Sequence, residues 1–423
     1  MTESGTCGAD RRLKVLMSAY ACEPGKGSEP GIGWNIVREM AGLHDVWVLT
    51  RANNRPAIEA ALAKAPIPGL HFIWHDLPVW AGWWKRGKRG VQAYYYLWQL
   101  TAIRAARRAH AEIGFDVSHH ATFVKYWAPT CLSFLPVPYV WGPLGGGESA
   151  PLAFWPGFSL RGIVYEMLRS AARGLAGFDP LVRRSARRAK MSLANTEGTA
   201  VRLRRLGARP VEICVEAGLW PDEIAELGNF TRNETVSPVR FLSAGRLIHW
   251  KGYHLSLEAF ARSGLSEAEY HVLGNGPERK RLERLCTRLD IEKRVKFLGS
   301  IPRTQVLEVL RGADVFVHPS LHDSGGWASL EAMAVRLPVI CLALGGPDLL
   351  VAPECGIKVP ATNPDETIER LADAMRLLAN DPQLASRMGE AGGRHVQTNA
   401  RWTEHADRIS DYYVSVISSN RAE

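Results

Sequence analysis

Two carboxylates eight residues apart, Asp323 and Glu331, lie in the stretch from His318 to Ala334 (HPSLHDSGGWASLEAMA). Asp323 falls on a glycine-rich loop after an apolar run, and Glu331 falls in the first turns of the helix expected next. A carboxylate so placed can accept two hydrogen bonds from a ribose diol. Gly325 and Gly326 let backbone amides approach a polar ligand. The plainer alternative is that Asp323 caps the helix and Glu331 faces solvent.

Upstream, Gly245 to Gly252 (GRLIHWKG) follows the apolar run Arg240 to Ala244. Arg246 and Lys251 would then sit on a strand-to-helix loop at the carboxyl edge of a parallel sheet, where open α/β sheets bind ligands. An arginine fork and a lysine point charge together suit a diphosphate. Each alone could equally be a solvated surface cation. Gly274-Asn-Gly-Pro277 ends the next run and puts a second backbone-open loop, with Gly274 and Gly276, on that edge. Near the start of the chain, Gly25, Gly27, Gly31 and Gly33 crowd one turn between a first strand and a helix expected from about Trp34. Such a turn can present a helix N-terminus to an anion, or simply be flexible. Its spacing is neither the dinucleotide fingerprint nor a GK[ST] phosphate loop.

These loops need elements to hold them. Short β-branched or apolar runs alternate with longer amphipathic ones, which predicts βαβ units and parallel sheets, an α/β class. Strands are expected at 14–19, 46–50, 70–74, 116–119 and 139–141, then more regularly at 240–244, 270–273, 295–298, 315–318 and 339–342. Helices are expected at 277–289, 304–312, 365–378, 381–392 and 403–417. The polar stretch Glu226 to Pro238 reads as a linker. With 423 residues, two domains of roughly 200 residues each are the natural division.

The seven cysteines are scattered and odd in number, which predicts reduced thiols and a cytoplasmic chain. No apolar run is long enough to span a bilayer: the longest uncharged stretch, between Lys125 and Glu148, is broken by four prolines and three consecutive glycines. No Asp-x-Asp pair and no His/Cys cluster at ligand spacing calls for a metal. Net charge is +9, but residues 1–220 carry 28 Lys and Arg against 16 Asp and Glu. A basic first half suggests an anionic partner. Within it, residues 80–108 interleave Trp and Tyr with Lys and Arg, as at the surface of an anionic membrane. The alternative there is a core helix with an exposed basic loop. The cations form no recognised nucleic-acid reading motif, so no nucleic-acid partner is expected.

Taken in order, the GRL…KG loop at 245–252, GNGP at 274–277, FLG at 297–299, the Asp323…Glu331 pair, and Leu337-Pro-Val339 with Gly345-Gly-Pro347 resemble the retaining glycosyltransferases of family four, the group 1 glycosyltransferases. Residues 19–34 and 141–147 are similar to a subgroup of these enzymes, which serve bacterial lipopolysaccharide, capsule and exopolysaccharide synthesis. The resemblance implies a GT-B fold: two Rossmann-like domains with parallel sheets facing a cleft. The acceptor-side domain would span residues 1–225, the nucleotide-sugar domain 239–400, and a last helix, 401–423, would pack back on the first domain. It further implies that Arg246 and Lys251 grip the diphosphate of a UDP- or GDP-sugar and that Glu331 binds the ribose. Asp323, with the amides around Ser324, Gly325, Gly326 and Trp327, would hold the transferred hexose. Gly245, Gly274, Gly276 and Leu298 would line the donor, while Gly31 and Gly33 would approach the phosphate or acceptor from the other domain. His119 takes the place of a histidine often found near the donor sugar, though a structural histidine at a strand end fits equally. One departure is plain: the family usually has Glu where this chain has Asp323. The acceptor would be a saccharide or a polyprenyl-diphosphate-linked one, at the inner face of the cell membrane. The nucleotide sugar is a substrate, so no cofactor is implied. Two further readings share the fold: a nucleotide-sugar epimerase, and a non-catalytic sugar-nucleotide-binding partner.

Overall fold

The structure is a computed structural model that describes residues 12–27, 29–82, 90–123, 125–215, 217–228 and 238–422. Cys7, the basic stretch 83–89 and most of the expected linker, residues 229–237, lie outside the described residues.

Two wholly parallel sheets carry the fold. The first has seven strands: β1 (Lys14–Ser18), β2 (Asp45–Thr50), β3 (Leu70–Trp74), β4 (Val117–His120), β5 (Tyr139–Leu144), β6 (Met191–Ala194) and β7 (Val211–Ile213). Their order is β3-β2-β1-β4-β5-β6-β7. The second has six: β8 (Arg240–Ala244), β9 (Glu269–Leu273), β10 (Val295–Gly299), β11 (Val315–His318), β12 (Val339–Leu342) and β13 (Gly356–Val359), ordered β10-β9-β8-β11-β12-β13. Each order reverses direction once, between β1 and β4 and between β8 and β11. Crevices for ligands open at such reversals, outside the carboxyl ends of the strands.

Parallel strands covered by helices on both faces read as continuous apolar runs. Accordingly β1 sends Val15 and Met17 to one hydrophobic cluster and Leu16 to the other, and β11 divides Val315 and Val317 from Phe316 in the same way. Three strands escape the pattern. β6 and β7 are four and three residues long, and β13 opens on a glycine, so none offers the β-branched run that marks a strand.

The first helix begins at Glu29, five residues before the expected start, because Pro30 is compatible with a helix's first turn. Gly31 and Gly33 therefore lie within this helix, not in the turn before it. A Cβ on Gly31 would meet the carbonyl oxygen of Lys26, and one on Gly33 that of Ala21. Both glycines let the helix lie against the chain that precedes it. Residues 80–108 also need correction. Tyr94, Tyr95 and Trp98 on helix Val91–Ile113 are buried in the core, so this part of the segment follows the core-helix alternative; among the described aromatic residues of the segment only Trp80 is widely exposed.

The last helix, Trp402–Ala422, returns to the first sheet. Ala406, Ile409, Tyr413 and Val416 join a hydrophobic cluster with β1 and the first helix. Here His119 finds its partners. Its Nε2 donates to the Gly142 carbonyl at 2.5 Å, which leaves Nδ1 to accept from the Tyr413 hydroxyl at 2.7 Å. His119 is wholly buried, and burial lowers it to about 4; its neighbour His120 falls to about 3 for the same reason. His119 thus ties the chain's end to β4 and exposes no nitrogen to a donor sugar, which corrects the catalytic expectation. Both histidines fold neutral and take up protons more readily when unfolded. Their stabilisation is complete above an unfolded pKa near 6.5 and declines as pH falls toward the folded values, by roughly 1.4 kcal/mol per pH unit for each. The denaturant midpoint should therefore drop steadily from pH 6.5 to pH 4.5; a flat midpoint would contradict neutral, buried rings.

Candidate functional site

Loops from three strands meet at the reversal in the second sheet. The loop after β8 carries Arg246 and Lys251, and a short helical turn at His249–Lys251 ends at Gly252 with φ +68°. A side chain at Gly252 would strike the Pro319 carbonyl, and one at Gly274 or Gly276 would strike the carbonyl of Gly245 or Leu247. Backbone bonds from Leu247 N–H to Asn275 O (3.0 Å) and from Leu321 N–H to Trp250 O (2.8 Å) close the arrangement. The glycines of this edge are there so that three loops can pack backbone on backbone.

Lys251 reaches across to Asp323 and forms a hydrogen-bonded ion pair with it. His318 donates to the same carboxylate oxygen at 3.1 Å and accepts at its other nitrogen from Ser329 at 2.9 Å. Burial alone would raise the Asp323 carboxyl, but the Lys251 ammonium and the His318 bond outweigh it and hold it well below the usual range. Its other oxygen accepts from the amides of Gly325 and Gly326 at 3.3 and 3.2 Å. These two amides, expected to face the transferred sugar, are instead committed to Asp323. The aspartate arm is short enough to fold back on its own loop. Arg246, by contrast, is exposed, and its side chain makes no hydrogen bond or ion pair with any described residue.

Glu331 stands on helix Trp327–Ala334 and is held at 2.5 Å by Arg303, which opens helix Arg303–Arg311. Burial raises its carboxyl, with Arg303 opposing. Leu298, half-buried at the end of β10, packs on the cluster beneath this helix. Trp327 leans on Trp402 with ring centroids 6.0 Å apart. Lys251 and Asp323 are thus brought into contact, Arg246 shares their loop edge, and Glu331 stands on the helix that leaves the Asp323 loop.

The first domain closes over this edge. A Cβ on Gly145, just past β5, would lie 3.2 Å from Ser324. The loop from Gly145 to Glu148 is gripped by arginines: Arg169 and Arg173 bond the carbonyls of Gly146 and Glu148, and Arg202 that of Gly147. From the same helix, Leu160–Ala176, the buried Glu166 accepts from His249 at 3.1 Å and His322 at 3.3 Å, one on the loop after β8 and one on the loop after β11. Burial would raise Glu166, but these two bonds and nearby Arg169 bring it down to about 2. Sequence reasoning does not single out Glu166, Arg169, His322 or Arg303, because charged residues at helical spacing read as a solvated face. Replacing Glu166 with Ala strands two buried imidazoles and should cost on the order of 3 kcal/mol in unfolding free energy, and Glu166→Gln less. Equal denaturation midpoints for the Glu166→Ala and wild-type chains would refute the contact of Glu166 with His249 and His322.

One trio of possible metal ligands, Glu354, Cys355 and His395, also comes together, from residues forty apart in sequence. It sits at the amino-terminal end of β13, the edge opposite these loops. The six cysteines among the described residues are all free and buried. No described helix is long and apolar enough to cross a membrane.

With this geometry established, comparison with known proteins is decisive for the second sheet: residues 230–395 match the family model of glycosyl transferases group 1. The matched residues contain Arg246, Lys251, Asp323 and Glu331. The chain is 30% identical over 241 residues to the lipopolysaccharide core biosynthesis glycosyltransferase LpsE of Rhizobium meliloti, covering 54% of this chain and 64% of that protein. It is 32% identical over 140 residues to the D-inositol 3-phosphate glycosyltransferase of Corynebacterium glutamicum, covering 33% of this chain and 32% of that one. These matches span from a third to just under two thirds of the relatives' own length. The Anabaena HepE structure, solved with UDP-glucose, superposes with a TM-score of 0.60 at 18% identity over 96% of this chain and all of that one. This likeness shows the fold, GT-B, across both domains.

Proposed function

We propose that the protein is a retaining glycosyltransferase that moves a hexose from a UDP- or GDP-sugar to a saccharide or polyprenyl-diphosphate-linked acceptor in cell-surface polysaccharide synthesis. The observation that carries this reading is the pairing of Lys251 with Asp323 beside Arg246, whose side chain has no partner among the described residues, at the reversal point of a sheet that matches the group 1 glycosyl transferase model. Support comes also from LpsE, named for lipopolysaccharide core synthesis, and from HepE, solved with UDP-glucose.

In this reading the bond between sugar C1 and the diphosphate oxygen breaks while the acceptor oxygen bonds C1 on the same face. The acceptor's hydroxyl proton passes to the departing diphosphate. Negative charge grows on that diphosphate, where Arg246 and Lys251 stabilise it. Glu331 holds the ribose, and Asp323 acts by orienting Lys251 and the 324–327 loop. No metal or cofactor is assigned a step.

The test is a panel of UDP- and GDP-hexoses scored by nucleotide release, with and without membrane-extracted lipid acceptor. Acceptor-dependent release from one donor is expected. Isomerised donor without acceptor, or nucleotide-sugar binding with no release, would replace the proposal with an epimerase or a binding partner.

A further inference from the structure

Helix Leu160–Ala176 is built inside out. At 100° per residue, Gly162, Glu166, Arg169 and Arg173 fall on one face, and Leu160, Val164, Met167, Leu168 and Leu175 fall on the opposite one. The charged face is the covered one, spent on His249, His322 and the Gly145–Glu148 loop. The apolar face is bare: Leu160 is 78% exposed, Leu168 67% and Leu175 71%, and Phe178 just beyond the helix is 80% exposed. Of the fifteen large apolar side chains exposed among the described residues, eight lie between Leu152 and Phe178, so the exposure is a patch and not a scatter.

The charge beside the patch is of one sign. Residues 161–190 hold eight Lys and Arg against two Asp and Glu. Both acids are engaged internally, Glu166 with the two histidines and Asp179 as cap of helix Pro180–Arg188 and acceptor from Tyr96 at 2.7 Å. That helix exposes Arg183, Arg184, Arg187 and Arg188. An apolar stripe flanked by cations matches a bilayer surface bearing anionic headgroups. A second copy of the chain would set the same cations against each other across a two-fold axis.

We infer that the outer face of helix Leu160–Ala176, with the arginines of the next helix, docks on an anionic lipid surface. The inner face of this helix clamps the loops of the candidate site through Glu166, so docking places the rim of the cleft at the membrane, where a lipid-linked acceptor would be presented. The contact itself does not depend on sugar transfer.

The experiment is flotation of the full chain with phosphatidylcholine vesicles made with and without phosphatidylglycerol. The wild-type chain should float with the anionic vesicles. Leu168→Glu with Leu175→Glu should lower its partition at least about tenfold, and Arg184→Glu with Arg187→Glu should abolish the preference for anionic lipid. Thermal midpoints should match wild type, since all four side chains are exposed. The proposal is overturned if wild type fails to float, or if the leucine variant floats undiminished. It is equally overturned if wild type forms a dimer that the leucine variant dissolves while neither binds vesicles.

Discussion

Replacing Lys251 with Ala is expected to lower kcat for nucleotide-sugar turnover by about two to three orders of magnitude, with donor KM changed far less. Two effects add. The substitution removes a cation placed where negative charge develops on the leaving diphosphate. It also uncovers the carboxylate of Asp323, which Lys251 and His318 together hold ionised, and leaves that charge at the same edge. The second effect can be isolated. Lys251→Ala combined with Asp323→Asn should recover part of the loss, because the amide keeps a place in the loop without the charge. If Lys251→Ala turns over at the wild-type rate, the ion pair is scaffolding and the diphosphate lies elsewhere.

Glu331→Ala is expected to raise donor KM by about 10 to 100-fold with a smaller effect on kcat. A charge-assisted bond from the ribose diol to this carboxylate contributes about 1.5–3 kcal/mol, and that binding is present in ground and transition states alike. Arg303 holds this carboxylate at 2.5 Å and is itself half exposed, so it orients Glu331 from the solvent side. Arg303→Ala should therefore raise donor KM less than Glu331→Ala does. A donor KM within twofold of wild type for Glu331→Ala would remove the ribose assignment.

The second domain is the more legible half in the sequence, for a physical reason. Its central strands β11 and β12 are near-continuous apolar runs, VFVH and VICL, and its loops need glycine wherever one backbone meets another, as at Gly252, Gly274 and Gly276. Spacing therefore carries both the strands and the loops that face the ligand. What spacing could not show was made by distant packing. His119 meets Tyr413 across 294 residues of chain, and that contact turns a strand-end histidine from a candidate catalyst into an anchor. Glu166 and Arg173 look like the wet side of an amphipathic helix until His249 and His322 of the other domain are seen to cover the first, and the loop from Gly146 to Ser149 the second. Gly31 and Gly33 look like part of a turn that precedes a helix until the helix is seen to start at Glu29. Asp323 is the intermediate case: its position was readable, but its commitment to Lys251, His318 and its own loop amides was not.

In the proposed complex Arg246, Lys251 and Glu331 converge on one nucleoside diphosphate. Calorimetric titration of UDP and of GDP into the wild-type chain and into Arg246→Ala, Lys251→Ala and Glu331→Ala tests it without needing the acceptor. One nucleotide should bind with one-to-one stoichiometry, and each substitution should weaken it by about tenfold or more, a loss of about 1.4 kcal/mol or above. Wild-type affinity in all three variants would contradict the account.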